Sequence, residues 1–318
     1  MEFVGALIVT LVAAPVLRRV ALRRGFVDRP GPLKTHRAPV PYLGGVAVFL
    51  GLVVGPATSN RPWVLVPYAL ALALGVTDDI RPTSPSTRLA GQLVIAVAAG
   101  LVVPGPVGGR IGTAVLVVVL MNAVNLLDGQ DALASGACLL SAVAFAVLGG
   151  DAQPVGLALG GALAAFLVFN APPARMYLGD GGAYLIGAVL ATLPSLTAGA
   201  TSVWPVWIAT PLLVALPLAD TGIAVIRRLR ERRPLLLGDR SHVYDVLVDR
   251  GWPTETSTAA CVLFQGVLGA IGVVAAGLDA AVALAVTAVT VTATVALAAA
   301  AGFLGRAGFG PGRGRRTS

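Results

Sequence analysis

The stretch Asn122 to Gly136, NAVNLLDGQDALASG, places Asn122, Asn125, Asp128 and Asp131 at intervals of three residues. Side chains three apart share one side of a helix end or tight turn, so these four oxygen-bearing groups are expected to converge. The stretch lies between the apolar runs Ile111 to Met121 and Ala137 to Leu148. Carboxylates and carboxamides next to such runs are costly unless they face a water-filled cavity or bind something cationic. Asp78 and Asp79 stand side by side at the end of another apolar segment, where the negative pole of a helix disfavours them. A solvated turn ahead of Pro82 and Pro85 is their plain alternative.

Other groups have ordinary explanations of their own. Helix capping by Asp128 or Asp131 accounts for one carboxylate of that pair, and N-capping is the plain alternative for Asp180 in YLGDGG. An ion pair with Arg227 or Arg228 is the leading expectation for Asp220. Tyr177 suits either a membrane-interface aromatic or a platform for a planar base. Lys34, His36, Arg88, Arg240 and His242 add cations to the same set of loops and helix ends. Hard oxygen ligands beside phosphate-binding cations are what Mg²⁺-dependent phosphoryl transfer requires. Since Mg²⁺ takes only one or two protein oxygens, the remaining carboxylates must position neighbours or do other work.

The elements that position these residues are apolar helices. Hydrophobic residues make up 56% of the 318-residue chain and charged residues 12%, with a mean hydropathy of +0.85. No ordinary soluble domain has that composition. Segments of roughly 16 to 24 apolar residues, long enough to cross hydrocarbon, follow one another along the chain. They predict an all-α polytopic membrane helix bundle with helices at 2–21, 42–58, 62–77, 88–104, 110–126, 132–149, 153–170, 181–198, 203–226, 256–276 and 279–303. Residues 1–303 form one catalytic membrane domain, and 304–318 form a basic tail whose Arg306, Arg313, Arg315 and Arg316 suit a lipid surface.

About eleven crossings put the termini on opposite sides. Of the 23 Lys and Arg residues, all but Arg61 and Arg110 then fall on the side of the C-terminus. The positive-inside rule makes that side cytoplasmic and places the N-terminus outside. The net charge of +8 is therefore spread over the cytoplasmic loops and is not a nucleic-acid-binding tail. Pro205, Pro211 and Pro217 predict a kink or break in the ninth helix. Cys138 and Cys261 fall inside helices and suggest neither a disulfide nor a metal clip. The first segment carries its basic residues, Arg18 to Arg24, after the apolar run, which reads as a retained signal anchor. The last two helices read as packing elements.

Four blocks in order, LKTHRAPVPYLGG, GVTDDI with Arg88, NAVNLLDGQDALASG and YLGDGGAYLIG, resemble the polyprenyl-phosphate N-acetylhexosamine-1-phosphate transferases. DTGIAVIRR and DRSHVYDVL extend the resemblance through nearly the whole chain. It implies transfer of a sugar 1-phosphate from a UDP-amino sugar to a polyprenyl phosphate on the cytoplasmic face of the inner (plasma) membrane. UMP is released, and the product starts a cell-envelope glycan such as lipopolysaccharide or teichoic acid. By motif position Asp180 and Asn125 would hold Mg²⁺, or Mn²⁺ in its place. Asp78 would orient or deprotonate the lipid phosphate with Asp79 as its partner, and Asp128 and Asp131 would complete the catalytic set. Lys34, His36, Arg88, Asn122, Tyr177, Arg240 and His242 would contact substrate, with Tyr177 stacked on the uracil. Arg88 stands where the family has Lys, Ala132 and Ala183 where it has Gly and Ser, and His242 where several histidines are usual.

Lys34-Thr-His36 and Val40-Pro41 look like the N-acetylglucosamine branch. The branch that handles UDP-N-acetylmuramoyl-pentapeptide is the alternative. An anionic-solute transporter is a rival of another class, but transporters hold such groups near the midplane, whereas here they gather at one face. The expected partners are the UDP-amino sugar, the polyprenyl phosphate and membrane lipid, with a homodimer admitted and no nucleic acid.

Overall fold

The computed structural model describes residues 1–29, 39–59, 61–198, 203–232 and 242–304. Apart from a two-residue antiparallel pair, β1 (Val27–Asp28) with β2 (Val40–Pro41), its regular structure is helical. In order come α1 (Glu2–Arg24), α2 (Gly44–Leu52), α3 (Val54–Thr58), α4 (Leu65–Ile80), α5 (Pro85–Val102), α6 (Val107–Leu127) and α7 (Leu133–Leu148). Then follow α8 (Ala152–Asn170), α9 (Gly179–Ala198), α10 (Val203–Leu213), α11 (Ala215–Arg230), α12 (Val243–Asp249), α13 (Thr254–Ala276) and α14 (Ala280–Ala300). Each of the eleven apolar segments is helical, and two of them are broken, at Val53 and at Val214.

The centre of the bundle is α9, in which every residue except Asp180 is buried. Helices α2, α4, α6, α7, α8 and α10 pack around it. Residues on the periphery point apolar side chains outward. Leu101, Val289 and Leu297 are about 70% exposed, and α14 is nearly uncovered along its length. A water-facing surface does not carry apolar area on this scale, so the chain is a polytopic membrane bundle. Trp63 and Trp204, both strongly exposed, sit at the ends of α4 and α10 remote from Asp78 and Asp180, where interfacial aromatics belong. Of the two last helices, α13 packs into the bundle against α7 and α10, while α14 covers little.

Eight helices among the described residues are long and apolar enough to cross a membrane. A ninth arises if α10 and α11, bent by 68°, count as one span. The two other segments, Gly44–Thr58 and Leu133–Leu148, are shorter. Hydropathy registers an apolar run whatever its final length, which is why the sequence reading gives eleven.

The expected break in the ninth segment is present, and its chemistry is local. Pro217 has no N–H to donate to the carbonyl of Leu213. Gln265 of α13, fully buried, takes over: its Nε2 donates to Leu213 O at 3.0 Å and its Oε1 accepts from Leu216 N at 2.8 Å. One side chain thus satisfies both backbone groups exposed by the bend, as apolar surroundings demand.

Candidate active site

The acidic residues of α4 meet the N-terminus of α9. Asp79 Oδ1 accepts from Asp180 N at 2.9 Å and its Oδ2 from Gly181 N at 3.1 Å. A carboxylate that is unfavourable at the end of its own helix is favourable at the start of another, where amide donors lack partners. The close fit depends on glycine. Gly75 of α4 lies against the backbone of Asp180 with no room for a Cβ, and Gly179 has φ +72° with Asp79 Oδ2 only 2.6 Å from where a Cβ would stand.

Because Asp79 caps α9, Asp180 does not have to. Asp180 lies inside the first turn, so the plain N-cap explanation for it does not hold. Its Oδ1 accepts from Asn125 Nδ2 at 2.6 Å. Its carboxyl group also comes within hydrogen-bonding reach of Asp78. Asp78 is buried, which excludes the solvated turn. Thr83 donates to Asp78 Oδ1 from both N and Oγ1 at 2.7 Å, and Arg88 Nη1 stands 3.4 Å from Oδ2. Arg88 is held near the start of α5, a helix capped by Ser84 through Thr87 N, and it also reaches Tyr184 of α9.

The Asn122–Gly136 stretch divides. Asn125 turns to Asp180, but Asn122 pairs with Gln92 of α5 through both amide groups, at 2.8 and 3.3 Å, and donates to Val118 O. Asp128 ends α6, and no hydrogen bond holds its carboxyl among the described residues. Burial, and then the charges of Asp180, Asp79 and Asp131, push the Asp128 carboxyl well above the ordinary carboxylate range. Asp131 Oδ2 accepts from Ala174 N at 2.8 Å, tying the turn to the segment after α8.

Neither Asp128 nor Asp131 caps α7. Asn170, from the end of α8, accepts from Ala132 N at 3.1 Å and Ser135 Oγ at 2.8 Å while donating to Met176 O. The N-cap position itself is Ala132, in the left-handed region at φ +63°. The partners of Asn170, Gln92 and Gln265 are not legible in the sequence. Each acts on a residue at least 30 positions away, apart from the Met176 contact, so no local pattern marks it.

Tyr177 is half-buried beside this cluster. Its N donates to Pro41 O at 3.0 Å and its O accepts from Gly44 N at 3.1 Å, which seats the Val40–Gly45 segment against the start of α9. Burial and the charges of Asp131, Asp28 and Asp128 raise the Tyr177 phenol above its usual range. Asp220 departs from expectation. Its oxygens meet His242 Nδ1 at 2.6 Å and Val243 N at 2.8 Å, not Arg227 or Arg228. Lys34, His36 and Arg240 lie outside the described residues, as does the tail from 305 onward.

Asp78, Asp79, Asn125, Asp128 and Asp180 are therefore brought to one end of the bundle, with Arg88 as the cation on Asp78. Among the described residues, no three His, Cys, Asp or Glu side chains form a preformed metal cage. Asp180 and Asn125 do offer two adjoining hard-oxygen groups, the number that a Mg²⁺ ion shared with phosphate takes from protein.

Residues 62–198, which carry most of this site, match the family described as Glycosyl transferase family 4. A probable undecaprenyl-phosphate N-acetylglucosaminyl 1-phosphate transferase of Bacillus subtilis is 30% identical over 277 residues, covering 78% of this chain and 77% of that protein. A decaprenyl-phosphate N-acetylglucosaminephosphotransferase of Mycobacterium tuberculosis is 30% identical over 321 residues, covering 83% and 79%. An undecaprenyl-phosphate alpha-N-acetylglucosaminyl 1-phosphate transferase of Salmonella typhi is 28% identical over 313 residues, covering 86% and 83%.

Proposed function

The chain belongs to the polyprenyl-phosphate N-acetylhexosamine-1-phosphate transferases of glycosyl transferase family 4, and from that premise we propose that it moves N-acetylglucosamine 1-phosphate, or a close relative, from a UDP-sugar to a polyprenyl phosphate. An oxygen of the lipid phosphate forms a new bond to the sugar-bearing phosphorus. The bond from that phosphorus to the bridging oxygen breaks, and UMP leaves with the oxygen. The lipid then carries a diphosphate-linked sugar. The relatives' names support an N-acetylglucosamine donor over the muramoyl-pentapeptide branch.

The observation that carries this reading is Asp180 at the start of α9, gripped by Asn125 and adjoining Asp78, which in turn meets Arg88. Asp180 and Asn125 would hold Mg²⁺, which when bound supplies positive charge against the donor's diphosphate. A phosphate monoester with a second pKa near 6 is mostly dianionic at neutral pH, so the acceptor needs no strong base. Asp78, already tied to Arg88 and Thr83, serves to place that cation where the acceptor phosphate arrives. Asp79 keeps Asp180 in place through the helix amides. Tyr177, on its backbone mount, would carry the uracil, and Lys34, His36, Arg240 and His242 would close over the phosphates.

The same reading takes the bundle as eleven crossings with the N-terminus outside and the site at the cytoplasmic face of the plasma membrane. The distribution of Lys and Arg supports that orientation. The test is incubation of the purified protein with UDP-GlcNAc, polyprenyl phosphate and Mg²⁺, following UMP and the mass of the lipid product. Asp180→Asn and Asp128→Asn are each expected to abolish or sharply reduce transfer without loss of the protein from the membrane. Wild-type rates from Asp180→Asn would remove the metal assignment. Absence of UMP with the unaltered protein across a panel of UDP-sugars would remove the function.

A further inference from the structure

Helix α14 is nearly uncovered, so packing along its length does little to fix where it ends. Its end is nonetheless closely built. Gly302 stands in the left-handed region at φ +76°, its N donates to Ala299 O at 3.0 Å, and Phe303 N donates to Ala298 O at 2.9 Å. This pair of hydrogen bonds is the usual way a glycine closes a helix. It turns the chain back on the bundle, where Leu304 is only 9% exposed.

Two arginines from other elements meet this turn. Arg230, the last residue of α11, donates from Nη1 to Leu304 O at 2.8 Å, and Arg250, just past α12, donates from Nη2 to Ala301 O at 2.7 Å. The Arg250 guanidinium also lies over the Phe303 ring, 4.6 Å from its centroid. Carbonyls at a helix C-terminus form its negative pole, so both cations are favourable there. Water at the membrane surface would satisfy the same carbonyls, so α14 does not itself need the arginines. What the arrangement fixes is α12. Arg230 and Arg250 bracket that helix in the chain, and both are tied to one turn.

The other contacts of α12 lead to the acidic cluster. Asp220 accepts from Val243 N, at its start, at 2.8 Å. The Tyr244 hydroxyl donates to Leu126 O at 3.2 Å and lies against Gly129, where no Cβ fits. Leu126 follows Asn125, and Gly129 follows Asp128. We propose that the Ala301–Leu304 turn is a clasp that seats α12 on the Asn125–Asp128 turn, with Arg230 and Arg250 as positioning residues for transfer. Its effect on rate rests on the transferase reading above, whereas the clasp itself is a matter of local order. The last helix then serves the site through its tip and not through packing along its length.

Hydrogen–deuterium exchange of the purified full chain in detergent tests the clasp, and UMP release from UDP-GlcNAc and polyprenyl phosphate tests the positioning. The variants are Arg250→Met, Gly302→Val, the two combined, and Arg230→Met with Arg250→Met. Met keeps the arginine stem without its donors, and a β-branched Val cannot hold φ +76° without strain. Arg250→Met and Gly302→Val are each expected to speed exchange of the α12 amides about fivefold, the order of one charge-assisted hydrogen bond partly open to water. Exchange in α9 stays unchanged. The two combined add little beyond either alone, because both break the same contact. Loss of both arginines is expected to lower kcat/KM about tenfold, since a small displacement of groups beside the reacting atoms costs that order. Arg230→Lys, which keeps a donor for the last carbonyls, stays within about twofold of wild type. So does a chain ending at Gly305, which keeps the turn and lacks only the basic tail.

Wild-type exchange of α12 in Arg250→Met and Gly302→Val would overturn the clasp. Faster exchange with wild-type kcat/KM in the variant lacking both arginines would overturn its role in positioning. A chain ending at Gly305 that behaves like that variant would assign the effect to the tail and overturn the proposal as well. Failure of the wild type to release UMP would be a failure of the transferase reading, and the exchange measurement would still decide whether α12 is clasped.

Discussion

Replacing Asp79 with Ala separates two readings of the adjacent aspartates. The change strips α9 of both acceptors at its start, leaving Asp180 N and Gly181 N without partners. Each orphaned donor costs about 1–3 kcal/mol, and the lost charge at a helix N-terminus adds about 0.3–1 kcal/mol. Relief of the clash with the negative end of α4 returns a similar ~0.3–1 kcal/mol. Since Asp79 is half-buried, water softens the penalty, and the net loss is about 2–4 kcal/mol. Asp79→Asn keeps one acceptor and is expected to lose roughly half as much. Asp78→Ala is the control. Its partners Thr83 and Arg88 are themselves partly open to water, so its removal costs about 1 kcal/mol. Thermal unfolding of the three purified variants in one detergent should rank them Asp79→Ala, Asp79→Asn, Asp78→Ala, from least to most stable. UMP release measured well below each transition should still fall in Asp79→Ala, because Asp180 N is one of the two groups released. If Asp79→Ala unfolds with the wild type, the cap contributes nothing, and the case for Asp79 as the residue that seats Asp180 is lost.

Gln265→Leu removes the partners of Leu213 O and Leu216 N in a setting without water, and is expected to cost about 2–4 kcal/mol in thermal unfolding; a wild-type transition would show that the bend holds itself. Ala132 stands at φ +63°, where a non-glycine residue pays about 1–2 kcal/mol, part of which glycine loses to chain entropy. Ala132→Gly is therefore expected to stabilise the protein by about 0.5–1 kcal/mol, and destabilisation in the same assay would contradict the strain argument.

What the sequence revealed and what it concealed differ in range. An apolar run declares a helix from its own residues, so each segment from 2–21 to 279–303 is found as helix, and the prolines of 203–226 announce the bend. Side-chain partners across the bundle have no such signature. The sequence pairs Asp79 with Asp78, whereas the fold bonds it to amides 101 and 102 residues away. Asp128 and Asp131 suggested a cap for α7 because they precede it, but Asn170 arrives from 38 residues further on and does the work. Asp220 suggested Arg227 by proximity in the chain, and the fold gives it His242 instead. Asn122 and Asn125 share a helix face, yet one finds Gln92 of α5 and the other Asp180 of α9, because α6 packs against both helices.

The helix ends explain why the acidic groups gather as they do. α4 and α6 present their C-terminal, negative poles here, and α9 alone of the three presents its positive pole. Asp79 has already claimed that pole, and Asp128, buried at the end of α6 in the field of Asp180, Asp79 and Asp131, holds its proton more tightly. Both substrates of the proposed reaction are anions, and such a field repels them. Arg88 offsets one carboxylate, Asp78. In the proposed reaction a cation of higher charge would offset the remainder, and Asp180 with Asn125 is a pair that has hard oxygens to offer it without dismantling a helix cap. A metal held there would serve less to activate the acceptor than to let two phosphates enter a site that the protein has made negative.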